Sequence, residues 1–238
     1  MKSPRHLAII PDGNRRWARE KGLQPWLGHY EGAKNLEKLL YEVVEPLGIE
    51  HFSLWIASFD NLEKRPKDEV DALCGLFEEY FTRMADHKDV HKFEVKIGAY
   101  GEWERKFPES TVDAIKMAQD KTSSYSKHFL NFFMAYDGQR EMVSAVQVIA
   151  NKAQKANPHF EVTGDVLKNH LWTSSVPPVD LLVRTGVAGD PHLSGGFLMW
   201  QMAYAQLFFS PIFFPAFGPA ELKKAIGNYN DRERRFGA

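Results

Sequence analysis

Residues 6–17 read His6-Leu7-Ala8-Ile9-Ile10-Pro11-Asp12-Gly13-Asn14-Arg15-Arg16-Trp17. Four apolar residues, Leu7 to Ile10, make a short buried strand, and Pro11 to Asn14 then force a sharp turn. A basic segment from Arg15 to Lys21, stopped by Gly22, reads as a helix. A strand that feeds a glycine turn and a helix start offers backbone N–H groups and the positive end of a dipole to an anion. Arg15 and Arg16 add full charges, so Gly13, Asn14, Arg15 and Arg16 form a candidate diphosphate cradle. Asp12 at its lip is placed to hold a divalent cation on the same phosphates, since magnesium takes one or two carboxylates plus phosphate oxygens.

Outward from this stretch, apolar β-type runs recur at Leu7–Ile10, His51–Ala57, Phe93–Ala99, Phe129–Tyr136 and Leu181–Thr185. Helical patterns lie between them at Glu31–Leu47, Lys67–His87, Glu109–Tyr125, Gly138–Ala156 and Gly164–Trp172. Short buried strands alternating with long helices predict an α/β fold, a parallel sheet covered on both faces. Ligands of such sheets collect at the carboxyl ends of the strands. The polar residues follow that rule, with Asp12, Ser58 to Asn61, Tyr136 to Gln139, and Arg184 each closing a run.

The 238 residues carry no Pro/Gly/Ser-rich linker, so the expectation is one domain over 1–238. A net charge of −1 lacks the basic field that a nucleic-acid binder needs; no nucleic acid is expected as partner. The single cysteine, Cys74, excludes an internal disulfide and, lying in an apolar helical stretch, reads as a core thiol of a reducing compartment. The start lacks a long apolar segment and no run approaches the ~20 residues of a membrane helix, which predicts a cytoplasmic location. Phosphate-loop, dinucleotide, zinc-protease and hydrolase signatures are absent. His87 and His91 have i, i+4 spacing, but no third ligand stands near them in sequence, so they read as a solvated helix end and not as zinc.

The stretch from His6 to Ala18 resembles the first signature of the cis-prenyltransferase family, H-x-A-I-I-x-D-G-N-x-R-W-A. Further pieces fall in the family's order: Gly28-His29, Ser58 to Asn61 with Arg65-Pro66, Asn131 to Gly138, Asp180 to Gly186, Phe197 to Tyr204, and Arg234 to Gly237. The resemblance implies a central, mostly parallel β-sheet flanked by helices, with a hydrophobic substrate tunnel, and usually a homodimer. It implies condensation of an allylic prenyl diphosphate with isopentenyl diphosphate, dependent on Mg2+. The chain also lacks the paired D-D-x-x-D of trans-acting enzymes. Its nearest approach, Asp68-Glu69-Val70-Asp71, reads as a helix start.

Carried onto this chain, the resemblance makes Asp12 the magnesium ligand that helps the diphosphate leave. Gly13, Asn14, Arg15 and Arg16 hold the allylic diphosphate, with Trp17 either beside it or in the core. His29 is a phosphate-side donor or a structural histidine. Asn61 matches the position linked to proton removal from the condensing carbon; a neutral amide is a poor base, so positioning is its expected part, with Ser58 assisting. Arg65, Arg184 and Ser194 match ligands of isopentenyl diphosphate. Arg235 and Gly237 complete that site, supplied in the family by the second subunit, or else form a solvated basic tail.

Departures cluster on the acceptor side. Arg184 to Trp200 is three residues longer than the family pattern, and His192 stands where a second arginine is expected. A ring largely neutral at pH 7 thus replaces an always-charged fork. Gln206 replaces a glutamate that serves the metal, and an amide is the weaker ligand. Asp137 and Gln139 replace the glycine and arginine of Y-G-G-R, with Arg140 following directly, and Leu62 replaces an aromatic. These changes leave two alternatives open: another acceptor nucleophile, an alcohol or water, or a weakly active subunit in a heteromer with a second prenyltransferase. Phe132, Phe133 and Met134 are bulky, and strand alternation sends at least one of them to the tunnel side, which predicts a short-chain product. The aromatic run Phe208 to Phe217 reads as core and dimer interface; peripheral membrane contact is its other reading.

Overall fold

Six strands form one sheet in the computed structural model, which describes residues 3–155, 160–189, 191–194 and 196–231. The strands are β1 (His6–Ile10), β2 (His51–Ser58), β3 (Val95–Tyr100), β4 (His128–Tyr136), β5 (Leu181–Arg184) and β6 (Gln206–Phe209), in the order β3-β4-β2-β1-β5-β6. Every neighbouring pair is parallel. The helices are α1 (Asn14–Glu20), α2 (Pro25–Val44), α3 (Phe59–Lys64), α4 (Lys67–Ala85), α5 (Lys88–Lys92), α6 (Trp103–Lys106), α7 (Glu109–Thr122), α8 (Gly138–Lys155), α9 (Gly164–His170) and α10 (Pro219–Asp231). The chain leaves β1 toward β2 on one side and later returns to β5 on the other, which makes the β1/β5 border a switch point.

The period-2 alternation of the strands divides the core in two. Leu7 and Ile9 of β1 and Phe132 and Met134 of β4 pack with Leu39 of α2, Phe77 and Phe81 of α4 and Ile115 of α7. Ala8, Ile10 and Phe133 face the opposite way, where Phe133 meets Tyr100, Tyr136 and Phe197. The parallel sheet with helices on both faces therefore follows the alternation predicted. Between the first face and α2 and α4 runs an apolar cavity of about 180 Å³, walled by Leu36, Leu40, Phe77, Phe81, Leu130 and Phe132 among others. Of the three bulky β4 residues Phe132 is the one on its wall, set edge-on to Phe81 with ring centroids 5.0 Å apart.

α5, α6 and α10 match none of the helical patterns read from the sequence, and α2, α3 and β6 also differ from expectation. α2 begins at Pro25, six residues before Glu31, because Pro25 sits at the first helical position where a fixed φ suits it. Gly28, which lay outside the expected helix, and Gly32, which lay inside it, both sit in α2 against α1. A Cβ on Gly28 would stand 2.0 Å from the Asn14 carbonyl oxygen, and one on Gly32 2.4 Å from Asn14 Oδ1. α3 is too short to show a period in sequence. β6 was hidden in the aromatic run; only Phe208 and Phe209 join it, while Phe214 and Phe217 are buried in the core, where Asn35 Nδ2 donates to both their carbonyls at 2.7 and 2.8 Å. Cys74 is buried and its thiol is pushed up to about 11 by burial, as a core cysteine would be.

At the amino ends of the strands His6 is fully buried. Its Nδ1 donates to the Pro177 carbonyl at 2.9 Å, and its Nε2 accepts from the Ser53 hydroxyl at 2.8 Å, an arrangement for a neutral ring. Burial, followed by the neighbouring His51, outweighs the Pro177 contact and pushes His6 down from 6.5 to about 4. Between those values the unfolded chain binds more protons than the folded one, so stability falls as pH drops through this window. The expected contribution lost from pH 6.5 to pH 4 is roughly 3 kcal/mol. Urea midpoints measured across that range should fall less steeply for His6→Gln than for the unaltered chain; equal slopes would count against this account.

Candidate active site

The carboxyl end of β1 places Asp12 opposite the end of β5, since Ile10 pairs with Arg184. Thr185 Oγ1 donates to the Asp12 carbonyl at 2.8 Å and the Phe214 N–H donates to the same oxygen at 3.1 Å, fixing the turn. Gly13 follows at φ 100°, a conformation glycine adopts without strain, and a Cβ there would strike the Phe213 ring. Its N–H donates to Asp12 Oδ1 at 2.6 Å. Two arginines neutralise the carboxylate: Arg16 Nη2 lies 3.1 Å from Oδ1, and Arg184 Nη2 lies 3.0 Å from Oδ2. Arg184 Nη1 donates in turn to Ser194 Oγ and to the His192 carbonyl, both at 2.9 Å.

The second wall comes from β2 and the helices after it. Ser58 ends β2 and caps α3 by accepting from the Asn61 N–H at 3.0 Å, so the two expected partners are joined by helix capping. Arg65 closes α3, and one helix turn beyond, Glu69 is 3% exposed. Its Oε1 lies 3.3 Å from Arg65 Nη1, 3.3 Å from His29 Nε2 and 3.5 Å from Arg15 Nε. Burial first, and then Arg65, push His29 down to about 4 against the opposing pull of Glu69, so its ring is neutral at pH 7. Glu69 is the main residue that sequence reasoning missed. It stood inside the acidic stretch read as a helix start, and nothing in the sequence marks which of its carboxylates turns inward.

These walls enclose a polar cleft of about 390 Å³ that includes Asp12, Gly13, Asn14, Arg15, Arg16, His29, Ser58, Asn61, Arg65, Arg184 and Ser194, with Arg19 and Trp55 added to the expected set. Arg65 Nε and Arg184 Nε are buried without a hydrogen-bond partner, N–H donors left over for an anion. The cleft shares Pro11, Asn14, His29 and Ile56 with the apolar cavity, so a charged pocket opens onto a tunnel. A ligand with an anionic head and a hydrocarbon tail matches both.

Several expected residues are not brought here. Gln206 pairs with Leu181 at the start of β5, which sets it about 10 Å along the strands from the Ile10/Arg184 pair, and Asp12 follows two residues beyond Ile10. It is no metal partner of Asp12 within one chain, because the parallel register places it at the opposite end of the sheet. His192 is exposed and brings its carbonyl, not its ring, to Arg184. Trp17 is half-buried outside the cleft wall, with Lys21 Nζ 4.9 Å from its ring centroid. Arg235 and Gly237 lie outside the described residues. His87 and His91 are structural, His91 being engaged by Tyr125 and the Ala85 carbonyl.

Among the described residues no group of three His, Cys, Asp or Glu side chains could cage an ion. One carboxylate at the mouth of an arginine-lined cleft nonetheless fits a magnesium ion that arrives on phosphate oxygens. Asp12 is the residue that would hold it. Among the described residues no helix is long and apolar enough to cross a membrane.

A sequence profile described as putative undecaprenyl diphosphate synthase matches residues 10–237. A tritrans,polycis-undecaprenyl-diphosphate synthase (geranylgeranyl-diphosphate specific) of Pyrococcus horikoshii is 39% identical over 98% of this chain and 87% of its own length. An isoprenyl transferase of Clostridium perfringens is 35% identical over 99% of this chain and 90% of its own. Among solved structures, lavandulyl diphosphate synthase from Lavandula x intermedia, in complex with dimethylallyl diphosphate, superposes with a TM-score of 0.88 at 31% identity, covering 99% of both chains.

Proposed function

The chain belongs to the undecaprenyl diphosphate synthase family of prenyltransferases, and on that premise we propose how its cleft works. An allylic prenyl diphosphate binds with its head at Arg15, Arg16 and Arg19 and its tail in the apolar tunnel. Isopentenyl diphosphate binds beside it at Arg65, Arg184 and Ser194. The C–O bond of the donor breaks, its diphosphate leaves, a C–C bond forms to the acceptor, and the acceptor loses a proton. Asp12 would hold magnesium, which when bound would stabilise the negative charge of the leaving diphosphate. Arg16 and Arg184 stand ready to move from the Asp12 carboxylate to phosphate, so they stabilise charge as it develops. Asn61 and Ser58 position the acceptor; neutral His29 serves as a hydrogen-bonding wall between the two heads.

The single observation that carries this reading is the polar cleft opening into the tunnel through shared Pro11, Asn14, His29 and Ile56. The exposed Met199, Trp200 and Tyr204 support a homodimer, in which a second copy covers them. A single catalytic domain and a cytoplasmic location complete the reading.

The full chain should be incubated with Mg2+, labelled isopentenyl diphosphate and a series of allylic diphosphates, and the products sized by mass. Elongated diphosphates that stop short of the undecaprenyl chain are expected, because Phe132 and Phe81 narrow the tunnel. Phe132→Ala should lengthen them. Prenyl ethers or alcohols as the main products, or turnover only after a second protein is added, would overturn the reading.

A further inference from the structure

α3 is a helix of six residues with no buried side chain, yet it carries Asn61 into the cleft. A helix this short does not persist in water on its own. Leu62 packs partly buried against the core, and the rest of the helix's hold comes from charged side chains outside the cleft. The Arg140 guanidinium carbon lies 3.7 Å from the centroid of the Phe59 ring, and Lys106 Nζ lies 4.7 Å from the same centroid. Lys106 Nζ also donates to Glu63 Oε1 of α3 at 2.5 Å.

Arg140 is itself fixed. Its Nε donates to Glu102 Oε1 at 2.6 Å, and its backbone N–H donates to Asp137 Oδ1 at 3.0 Å at the start of α8. Asp137 Oδ1 also accepts from the Gln139 N–H at 2.9 Å. These are the positions where the chain departs from Y-G-G-R: Asp137 replaces a glycine, and the arginine comes one place late. One place on a helix is a rotation of about 100°, which is why Arg140 points at Phe59 while Gln139 does not substitute for it.

We propose that the Arg140–Phe59 stack is a brace that positions Asn61 for the transfer step, with Glu102 and Asp137 holding the arginine in place. Arg140 is a positioning residue. It is not part of the cleft wall and acts only through Phe59 and α3. The inference rests on the reading above, in which Asn61 works on the acceptor. A guanidinium stacks on an aromatic face better than an ammonium does, so lysine should fill the role only in part.

The test uses the full chain with Arg140→Gln, Arg140→Lys, Phe59→Leu, Asn61→Ala and the double variant Arg140→Gln/Asn61→Ala. Arg140 is a surface side chain, and thermal unfolding should be little changed by its replacement. Arg140→Gln should lower kcat about tenfold with KM for the allylic diphosphate unchanged, and Arg140→Lys should recover part of the loss. Phe59→Leu should match Arg140→Gln. Amide hydrogen exchange of residues 59–64 should quicken in both variants, an effect independent of turnover. The double variant should be no slower than Asn61→Ala alone, because the brace acts through that residue. Unchanged kcat or unchanged exchange in Arg140→Gln, alongside a large loss in Asn61→Ala, would overturn the brace alone. An unaffected Asn61→Ala would overturn the site reading together with the purpose assigned to the brace.

Discussion

Asp12→Ala should lower kcat by about a thousandfold, the scale seen when a group that stabilises developing charge is removed. Ground-state binding should respond in the opposite sense. Asp12 neutralises Arg16 and Arg184 in the free enzyme, so its loss leaves both guanidinium groups free for diphosphate. KM for the donor should therefore stay level or fall while kcat collapses, the pattern of an interaction realised only in the transition state. The same ion pairs predict weak binding of Mg2+ alone, because two cations already occupy the carboxylate. Calorimetric titration of Mg2+ should give measurable binding with inorganic pyrophosphate present and little without it; Asp12→Ala should remove the difference. A loss of less than tenfold in kcat would remove Asp12 from its assigned role.

Glu69→Gln should cost about 3–5 kcal/mol of stability, the range for breaking a buried ion pair by removing one partner. The carboxylate is 3% exposed and stands between Arg15 and Arg65, so without it two like charges share a poorly solvated wall. For a chain of this size the loss corresponds to a drop in Tm of roughly 10 °C. Pyrophosphate offers a replacement anion, and it should therefore raise Tm more in Glu69→Gln than in the unaltered chain. Equal stabilisation by pyrophosphate would show that Glu69 is a structural anchor unconnected to the anion cleft. A Tm within a few degrees of the unaltered chain would mean that its arginine partners find other solvation.

Arg15 and Arg65 both pair with Glu69, and Arg16 and Arg184 with Asp12, so two carboxylates hold four of the five arginines that line the cleft and leave it net positive. Substrate must compete with those carboxylates for the arginines. On the proposed reading, a metal held by Asp12 and phosphates held by the arginines would replace the same ion pairs together.

What was legible in sequence depended on local signals. The run Leu7 to Ile10 with Pro11, Asp12 and Gly13 marks a strand and a turn by residue type alone, because apolar runs and glycine conformations act over a few residues. The alternation of strands and helices predicted the parallel sheet in the same way. α2 was begun six residues late because Pro25 and Gly28 carry a loop signal, and only the close approach of α1 reveals Gly28 as a contact glycine. β6 was overlooked because its four half-buried residues, the last two of them opening an aromatic run, show no alternation.

By itself the sequence determined the parallel α/β class and the family, since both are written in contiguous residues, and it marked the turn after β1 as the place to look for the site. Tertiary structure alone decided which distant residues share the cleft. It joined Asp12 to Arg184 through the β1·β5 register, turned Glu69 inward, and sent Gln206 to the far end of the sheet. The physical reason is that strand register and helix rotation are fixed by packing over the whole core, and no short stretch of chain carries that information.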